Sequence, residues 1–132
     1  MGDSWDIQVV DDKKLFNLVP ADYLPKNFNK LDPKKKSDSA RVALVRKHGG
    51  VWSDAHVLML EDYAWLEKLF NEDGTTFVGY ANPHYSNDKK SGKELVESWW
   101  FAAQPESPVI SAWNKNWVNG LNESGNSKNF RN

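Results

Sequence analysis

The sequence has no cysteine, which excludes disulfide bonds and thiolate metal sites and fits a reducing compartment. It also has no apolar run near the roughly 20 residues that a membrane-spanning helix requires. The first five residues, Met1 to Trp5, are polar and lack the apolar core of a signal peptide. We therefore expect a soluble, cytoplasmic protein without a transmembrane segment.

An excess of charge of either sign is also missing. The chain has 17 basic and 18 acidic residues and a net charge of -1, so no overall field favours nucleic acid or an anionic membrane as a partner. Its 132 residues are enough for one domain with a buried core. We expect that domain over residues 1–121 and a flexible tail, rich in Asn, Ser and Gly, over residues 122–132.

The chain is rich in tryptophan, with seven such residues. Most tryptophans in a domain of this size pack in the core, but one or two could serve as stacking platforms for a base or a sugar ring. Trp99 and Trp100 are neighbours in a predicted strand over residues 97–103. Alternation along that strand predicts that they face opposite sides, so that at most one faces a cleft.

Predicted helices and strands alternate along the chain. Short strands are expected at residues 5–10 and 75–81. Ser37 or Asp38 is a suitable N-cap for a helix that runs to about His48, and a longer apolar strand is expected from Val51 to Met59. Ser107-Pro108 predicts the start of a last helix. The pattern indicates an α/β sheet with helices packed on its faces.

The most informative stretch joins the predicted helix to the apolar strand. Asp38 and Arg41 are three residues apart on the helix and share a face, where they could simply pair with each other. Gly49 and Gly50 end the helix and lead sharply into the strand. There Asp54 and His56, two residues apart, project from the same face. Because a carboxylate inside an apolar strand is costly to bury, Asp54 needs a cation, a metal or several hydrogen-bond donors.

These residues resemble a known family. The stretch SDSARVALVRKHGGVWSDAHVLML is similar to the shared core of the sugar transferases that carry an Asp-x-Asp motif, whose pattern is Ser-Asp-x-x-Arg, a helix, and Gly-Gly-x-aromatic-x-Asp-x-Asp. Gly-Gly-Val-Trp and the later ESWWFAA segment resemble the capsular-polysaccharide branch in particular. The resemblance is close over residues 37–60 and looser from there to about Trp117.

The resemblance implies a partial or minimal GT-A (Rossmann-like) sheet flanked by helices. It also implies transfer of a sugar from a nucleoside diphosphate sugar, UDP- or GDP-linked, to an acceptor such as a glycan. By position in the motif, Asp38 would bind the donor sugar or ribose and Arg41 the diphosphate. Asp54 and His56 would form the catalytic pair and the metal ligands. The implied substrate-binding residues also include Gly49, Gly50, Trp52 and Trp100.

The last motif position is His56, where the family has a second aspartate. Mg²⁺ and Mn²⁺ prefer carboxylate oxygens, whereas imidazole suits softer ions. Three arrangements are open: Mn²⁺ or Mg²⁺ bound through Asp54 and His56, a metal-free site in which Arg41 and nearby lysines carry the phosphate charge, or a histidine satisfied by a carbonyl or by Asp54.

The family's opening strand has no counterpart before Trp5. We expect either a fragment or minimal form of a larger transferase, or a homo-oligomer in which another chain completes the sheet. There are two alternatives to an active transferase. One is an inactive remnant that binds a nucleotide or a sugar, and the other is a structural α/β domain in which Asp54 is merely buried in an ion pair. Residues 82–92 form a polar loop in which we expect acceptor or donor specificity to lie.

Overall fold

The computed structural model describes residues 5–55, 57, 62–82 and 95–124. His56, part of the predicted apolar strand and most of the predicted specificity loop lie outside these residues. The helices are α1 (Asp12–Leu18), α2 (Pro33–His48), α3 (Ala64–Glu72) and α4 (Pro108–Ser124), and the strands are β1 (Gly50–Ser53), β2 (Phe77–Asn82) and β3 (Leu95–Ala103). Two short 3₁₀ turns, Ala21–Tyr23 and Phe28–Lys30, connect α1 to α2.

The described strands form one antiparallel sheet in the order β1-β3-β2. Helices cover both of its faces. On one face, Val42 and Val45 of α2 and Ile110 of α4 pack against Phe101 and Ala103 of β3. On the other face, Tyr63 and Leu66 of the α3 region pack against Trp100 and Ala102. The prediction of a mixed α/β domain with a partial sheet flanked by helices is confirmed.

Helix α2 begins earlier than the sequence pattern suggested. Asp32 is the N-cap, since its side chain accepts a hydrogen bond from the Lys35 amide at 2.9 Å, and Pro33 occupies the first helical position. Proline is favoured there because it lacks the amide hydrogen that the first turn leaves unpaired. Ser37 and Asp38 therefore lie inside the helix, and the prediction that one of them caps it is wrong.

Two strand predictions are also wrong. Residues 5–10 form no strand, and Ile7 and Val9 are 67% and 83% exposed, because β-propensity alone provides no neighbouring strand to pair with. Strand β1 ends at Ser53, well before Met59, and lies at an edge of the described sheet. Directly after it, the Asp54 carbonyl accepts a hydrogen bond from Val57 at 3.0 Å, which turns the chain away from the sheet.

An irregularity in β3 places its two tryptophans together. Gly79 of β2 pairs with Phe101, but Ala81 pairs with Val96, so the register shifts between these two pairs. A bulge of this kind re-aims side chains that would otherwise alternate. Both Trp99 and Trp100 pack on the α3 side and both rings contact Tyr80. The prediction that the two tryptophans face opposite sides is therefore wrong.

The last helix agrees with its sequence pattern. Ser107 precedes α4, Pro108 is its first residue, and Ile110, Trp117 and Leu121 are buried along one side. No helix among the described residues is both long and apolar enough to cross a lipid bilayer.

Candidate functional site

Arg41 lies at the centre of a polar cluster between α2 and the sheet. The residue is buried, and its guanidinium donates to several acceptors at once. Nη1 donates to the Ser98 carbonyl at 2.6 Å, Nη2 to Ser37 Oγ at 2.9 Å, and Nε to the Ser37 carbonyl at 3.3 Å. A planar guanidinium suits this arrangement because its donors point in fixed directions. Arg41 is thereby held in a single orientation.

Two carboxylates flank this guanidinium. Nη2 lies 3.4 Å from Asp38 Oδ1, one turn away on the same helix, and Nη1 lies 3.3 Å from Asp54 Oδ1, just after β1. The simple pairing of Asp38 with Arg41 that the sequence allowed is therefore present. Arg41 also pairs with Asp54, directly after β1, and the spacing of Asp38 and Arg41 does not predict this second ion pair.

Trp52 completes the cluster from β1. Its indole Nε1 donates to Asp54 Oδ1 at 2.9 Å, and the Arg41 guanidinium carbon lies 4.9 Å from the centre of its ring. The indole thus orients the carboxylate and stabilises the cation by a cation–π contact. We refer to Asp38, Arg41, Trp52 and Asp54 as the Arg41 cluster.

Asp54 is the more exposed of the two carboxylates in the cluster. Its side chain is 23% exposed, against 9% for the side chains of Asp38 and Arg41. Oδ1 is held by Trp52 and Arg41, and the backbone amide donates to the Trp99 carbonyl at 2.9 Å. Within the described residues, Oδ2 makes no hydrogen bond. Among these residues, one carboxylate oxygen is therefore held in place and the other has no partner.

The cluster itself contains one guanidinium and two carboxylates. No group of three His, Asp or Glu residues suited to a metal ion occurs in the described parts of the chain. The predicted second ligand, His56, lies outside them.

Gly49 and Gly50 direct the chain from α2 into β1. Gly49 has φ 68° and ψ -173°, a combination that is essentially restricted to glycine, and Gly50 has φ 98°. A Cβ on Gly49 would lie 2.6 Å from Cδ of Pro105. The two glycines thus set the position of β1 relative to the helix, and with it the distance between Asp54 and Arg41.

Trp100 is not part of this cluster. It lies on the α3 face of the sheet, is 2% exposed, and donates from Nε1 to the Tyr63 hydroxyl at 3.1 Å. The structure therefore brings together Asp38, Arg41, Trp52 and Asp54, with Gly49 and Gly50 supporting them, and leaves Trp100 on the opposite side of the sheet.

A shallow depression opens beside Asp38 at the start of α2. It is lined by Asp32, Lys34, Lys35 and Asp38. Lys34 is exposed and Lys35 lies 3.8 Å from Asp32. The lysine run that precedes Ser37 in the sequence is therefore the first turn of α2, and it brings positive charge next to the Arg41 cluster.

Sequence reasoning missed Ser98 and a second polar network. Ser98 binds Arg41 mainly through its backbone carbonyl, an atom that every residue has, so no sequence signal marks it. In the second network, the Tyr23 hydroxyl donates to Glu106, and Arg46 donates to Glu106 at 3.0 Å and to Asn114 at 3.0 Å. The Arg46 guanidinium also lies 3.9 Å from the centre of the Tyr23 ring.

The second network shifts two titration equilibria in opposite directions. The hydrogen bond from Tyr23 has the largest effect and lowers the pKa of the Glu106 carboxyl; burial opposes it, and the hydrogen bond and charge of Arg46 lower the pKa further. Burial, followed by the hydrogen bond to Glu106, raises the pKa of the Tyr23 hydroxyl. The network joins the 3₁₀ turn at Tyr23 to α2 and α4, and it lies apart from the Arg41 cluster.

A helix arginine thus holds a carboxylate at the end of an adjoining strand on a mixed α/β domain, and this cluster is the candidate site. The family model described as capsular polysaccharide synthesis protein matches residues 15–128, and the chain belongs to that family. Membership connects the chain with the synthesis of capsular polysaccharide and agrees with the branch that the motif resembled. No curated protein and no solved structure matches the chain.

Proposed function

We propose that the Arg41 cluster binds a nucleoside diphosphate sugar, UDP- or GDP-linked, and that the chain acts in the transfer of its sugar to a glycan. The observation that carries the proposal is the state of Asp54, which has one oxygen fixed by Trp52 and Arg41 and the other open. Membership in a family of capsular polysaccharide synthesis supports a saccharide as the substrate class.

A divalent cation would fit at the open oxygen of Asp54. Mg²⁺ and Mn²⁺ at nucleotide sites are commonly held by one or two carboxylates together with phosphate oxygens of the substrate. Asp54 is the described residue that would hold such an ion, because its side chain is 23% exposed. The cation would neutralise the charge that develops on the leaving diphosphate.

Arg41 has a supporting part in this proposal. Its donors are directed at Ser37, Ser98 and the two aspartates, so the charge on the guanidinium acts chiefly by holding Asp38 and Asp54 in place. Lys34 and Lys35, which line the depression beside Asp38, would add positive charge for the diphosphate. This assignment differs from direct contact between Arg41 and the diphosphate, the role that the resemblance implies.

Thermal unfolding with UDP- and GDP-sugars, each with and without Mn²⁺, tests the proposal. A ligand that binds the folded chain at 100 times its Kd stabilises it by about 2.7 kcal/mol. We expect such a shift with one class of nucleotide sugar, its loss in Asp54→Asn, and its retention in Asp73→Asn, which removes an exposed carboxylate elsewhere. Absence of any shift with all donors would contradict the proposal.

Incubation of the same donors with a glycan acceptor then distinguishes an active transferase from a module that only binds the nucleotide sugar. Release of the nucleoside diphosphate that depends on Asp54 identifies a transferase. Binding without release identifies a module that recognises the nucleotide sugar and does not turn it over.

A further inference from the structure

A group of aromatic residues lies on the α3 face of the sheet, on the other side from Trp52. Tyr80 and Trp99 stack with ring centres 5.0 Å apart and an angle of 10° between their planes. Trp65 stacks on Trp100 at 6.0 Å and 27°, and Tyr80 meets the edge of Trp100 at 5.5 Å. We call Trp65, Tyr80 and Trp99 the aromatic surface. The buried Trp100 contacts the rings of Trp65 and Tyr80 from beneath this surface.

The aromatic surface is accessible. Trp65 is 39% exposed and Tyr80 is 49% exposed, and Trp99 is half-buried. Each of these rings stacks on one neighbouring ring, Trp65 on Trp100 and Tyr80 on Trp99. Exposed apolar area of this kind, contributed by several adjacent residues, is typical of a ligand or partner surface.

The polar atoms of these rings have no hydrogen-bond partner among the described residues. Within the described part of the chain, the indole nitrogens of Trp65 and Trp99 and the Tyr80 hydroxyl make no hydrogen bond. Three other tryptophans differ in this respect, since Trp52 donates to Asp54, Trp100 to Tyr63 and Trp117 to Ser39. Within the described part of the chain, the aromatic surface therefore combines apolar ring faces with hydrogen-bonding groups that have no partner there.

A sugar ring matches this combination. One side of a pyranose presents C–H groups that can lie on an aromatic face, while its hydroxyl groups at the rim need donors and acceptors. The family to which the chain belongs makes polysaccharide, a ligand with many such rings in series. We propose that the aromatic surface binds a saccharide chain by stacking of its sugar rings on Trp65, Tyr80 and Trp99.

The position of Trp99 connects this surface with the Arg41 cluster. The Trp99 carbonyl accepts the hydrogen bond from the Asp54 amide at 2.9 Å, so the end of β1 is shared by the two regions. A saccharide on the α3 face would thus approach the donor site around the edge strand. The identification of this saccharide as the acceptor rests on the proposed function. The inference that a saccharide binds to the aromatic surface does not.

Titration of the wild-type chain with defined oligosaccharides tests the inference in the absence of any nucleotide. The probes are hexasaccharides of glucose and of N-acetylglucosamine, and a hyaluronan hexasaccharide as an acidic probe. We expect saturable binding of at least one of them by calorimetry. Trp65→Ala and Tyr80→Ala should each weaken it at least tenfold, and Tyr80→Phe should weaken it less because the ring remains.

Phe16→Ala is the matched control, because Phe16 is also 49% exposed but lies on α1, where it contacts Phe28. It should leave saccharide binding unchanged. Thermal unfolding of every variant shows whether the fold is retained, and the exposure of Trp65 and Tyr80 predicts that it is.

Three outcomes would overturn the inference. The first is that no probe binds saturably, and the second is that binding persists in both alanine variants. The third is that the wild-type chain binds no saccharide but self-associates, and that both alanine variants abolish the self-association. Nucleotide-sugar binding, measured on the same variants, is independent of these results. If the chain binds a saccharide but no nucleotide sugar, the result supports saccharide binding by the aromatic surface and contradicts the proposed function. If it binds a nucleotide sugar but no saccharide, the result supports the proposed function and contradicts saccharide binding by the aromatic surface.

Discussion

Arg41 Nη1 lies 3.3 Å from Asp54 Oδ1, so an ion pair joins α2 to the end of the strand that follows it. The pair spans the turn at Gly49 and Gly50, and Arg41 is bound at the same time to Asp38. Both the stability of this part of the fold and the orientation of the open carboxylate oxygen depend on this relationship.

Removal of the guanidinium should be strongly destabilising. Arg41→Ala removes the guanidinium that lies 3.4 Å from the buried Asp38 carboxylate, and the loss of one partner from a buried ion pair typically costs about 3–5 kcal/mol. Urea denaturation measures the change in the free energy of unfolding. Lys47→Ala, an exposed change on the same helix, should cost less than about 0.5 kcal/mol. A similar small cost for Arg41→Ala would show that the cluster does not hold α2 to β1.

The indole N–H of Trp52 should matter more for the ligand than for the fold. Trp52→Phe keeps an aromatic ring beside Arg41 but removes the hydrogen bond to Asp54, a loss of about 1 kcal/mol in stability. We expect weaker binding of the nucleotide sugar as well, because Asp54 is then less well oriented. Trp113→Phe is the control, since Trp113 packs beside Phe101 on the same face of the sheet. Equal binding by both variants would contradict an orienting role for Trp52.

Gly49 should not tolerate a side chain. In Gly49→Ala, the Cβ would meet Pro105 at 2.6 Å in a backbone conformation that only glycine adopts readily. Overpacking and strain together predict a loss of about 3 kcal/mol. Gly74→Ala is the comparison, because Gly74 also has a positive φ, 69°, but has open space around it, and it should lose only about 1 kcal/mol. The comparison requires thermal or urea unfolding of both variants, and equal losses would exclude the contact with Pro105 as a cause.

The Tyr23–Glu106 hydrogen bond should make stability depend on pH at both extremes. The lowered pKa of Glu106 means that its contribution is present above the ordinary glutamate pKa, about 4.3, and disappears as the pH falls through the lower folded value. The raised pKa of Tyr23 means that its contribution is present below about pH 10 and disappears as the pH rises through the higher folded value. Urea denaturation across the pH range measures both effects.

Tyr23→Phe removes the donor of that hydrogen bond and the alkaline titration together. We expect this variant to be less stable at neutral pH and to show a flatter dependence above about pH 10. Its acidic limb should also become flatter, because the hydrogen bond from Tyr23 is the largest cause of the lowered pKa of Glu106. Glu106→Gln should remove the contribution of Glu106 to the acidic limb altogether. Retention of both limbs in both variants would assign the pH dependence to other groups.

Local sequence signals predicted most helices well, but they predicted strand ends poorly. Helix α4 begins at Pro108 and buries Ile110 and Leu121 as its periodicity indicates, because capping and amphipathic spacing are properties of neighbouring residues. Strand β1 is shorter than its apolar run, because a strand lasts only as long as a partner is beside it. Asp54 makes the last hydrogen bond to Trp99, and the chain then turns.

The residue types of the candidate site were visible in the sequence, and their assembly was not. The motif placed Asp38 and Arg41 on one helix and Asp54 after Gly49 and Gly50, since the spacing along a chain decides which residues share a face. Tertiary structure decided that one guanidinium joins both aspartates, that Trp52 orients Asp54, and that Trp100 lies on the other face. It also decided that the shift in register of β3 puts Trp99 beside Tyr80, because contacts between distant segments depend on how strands pair and helices pack.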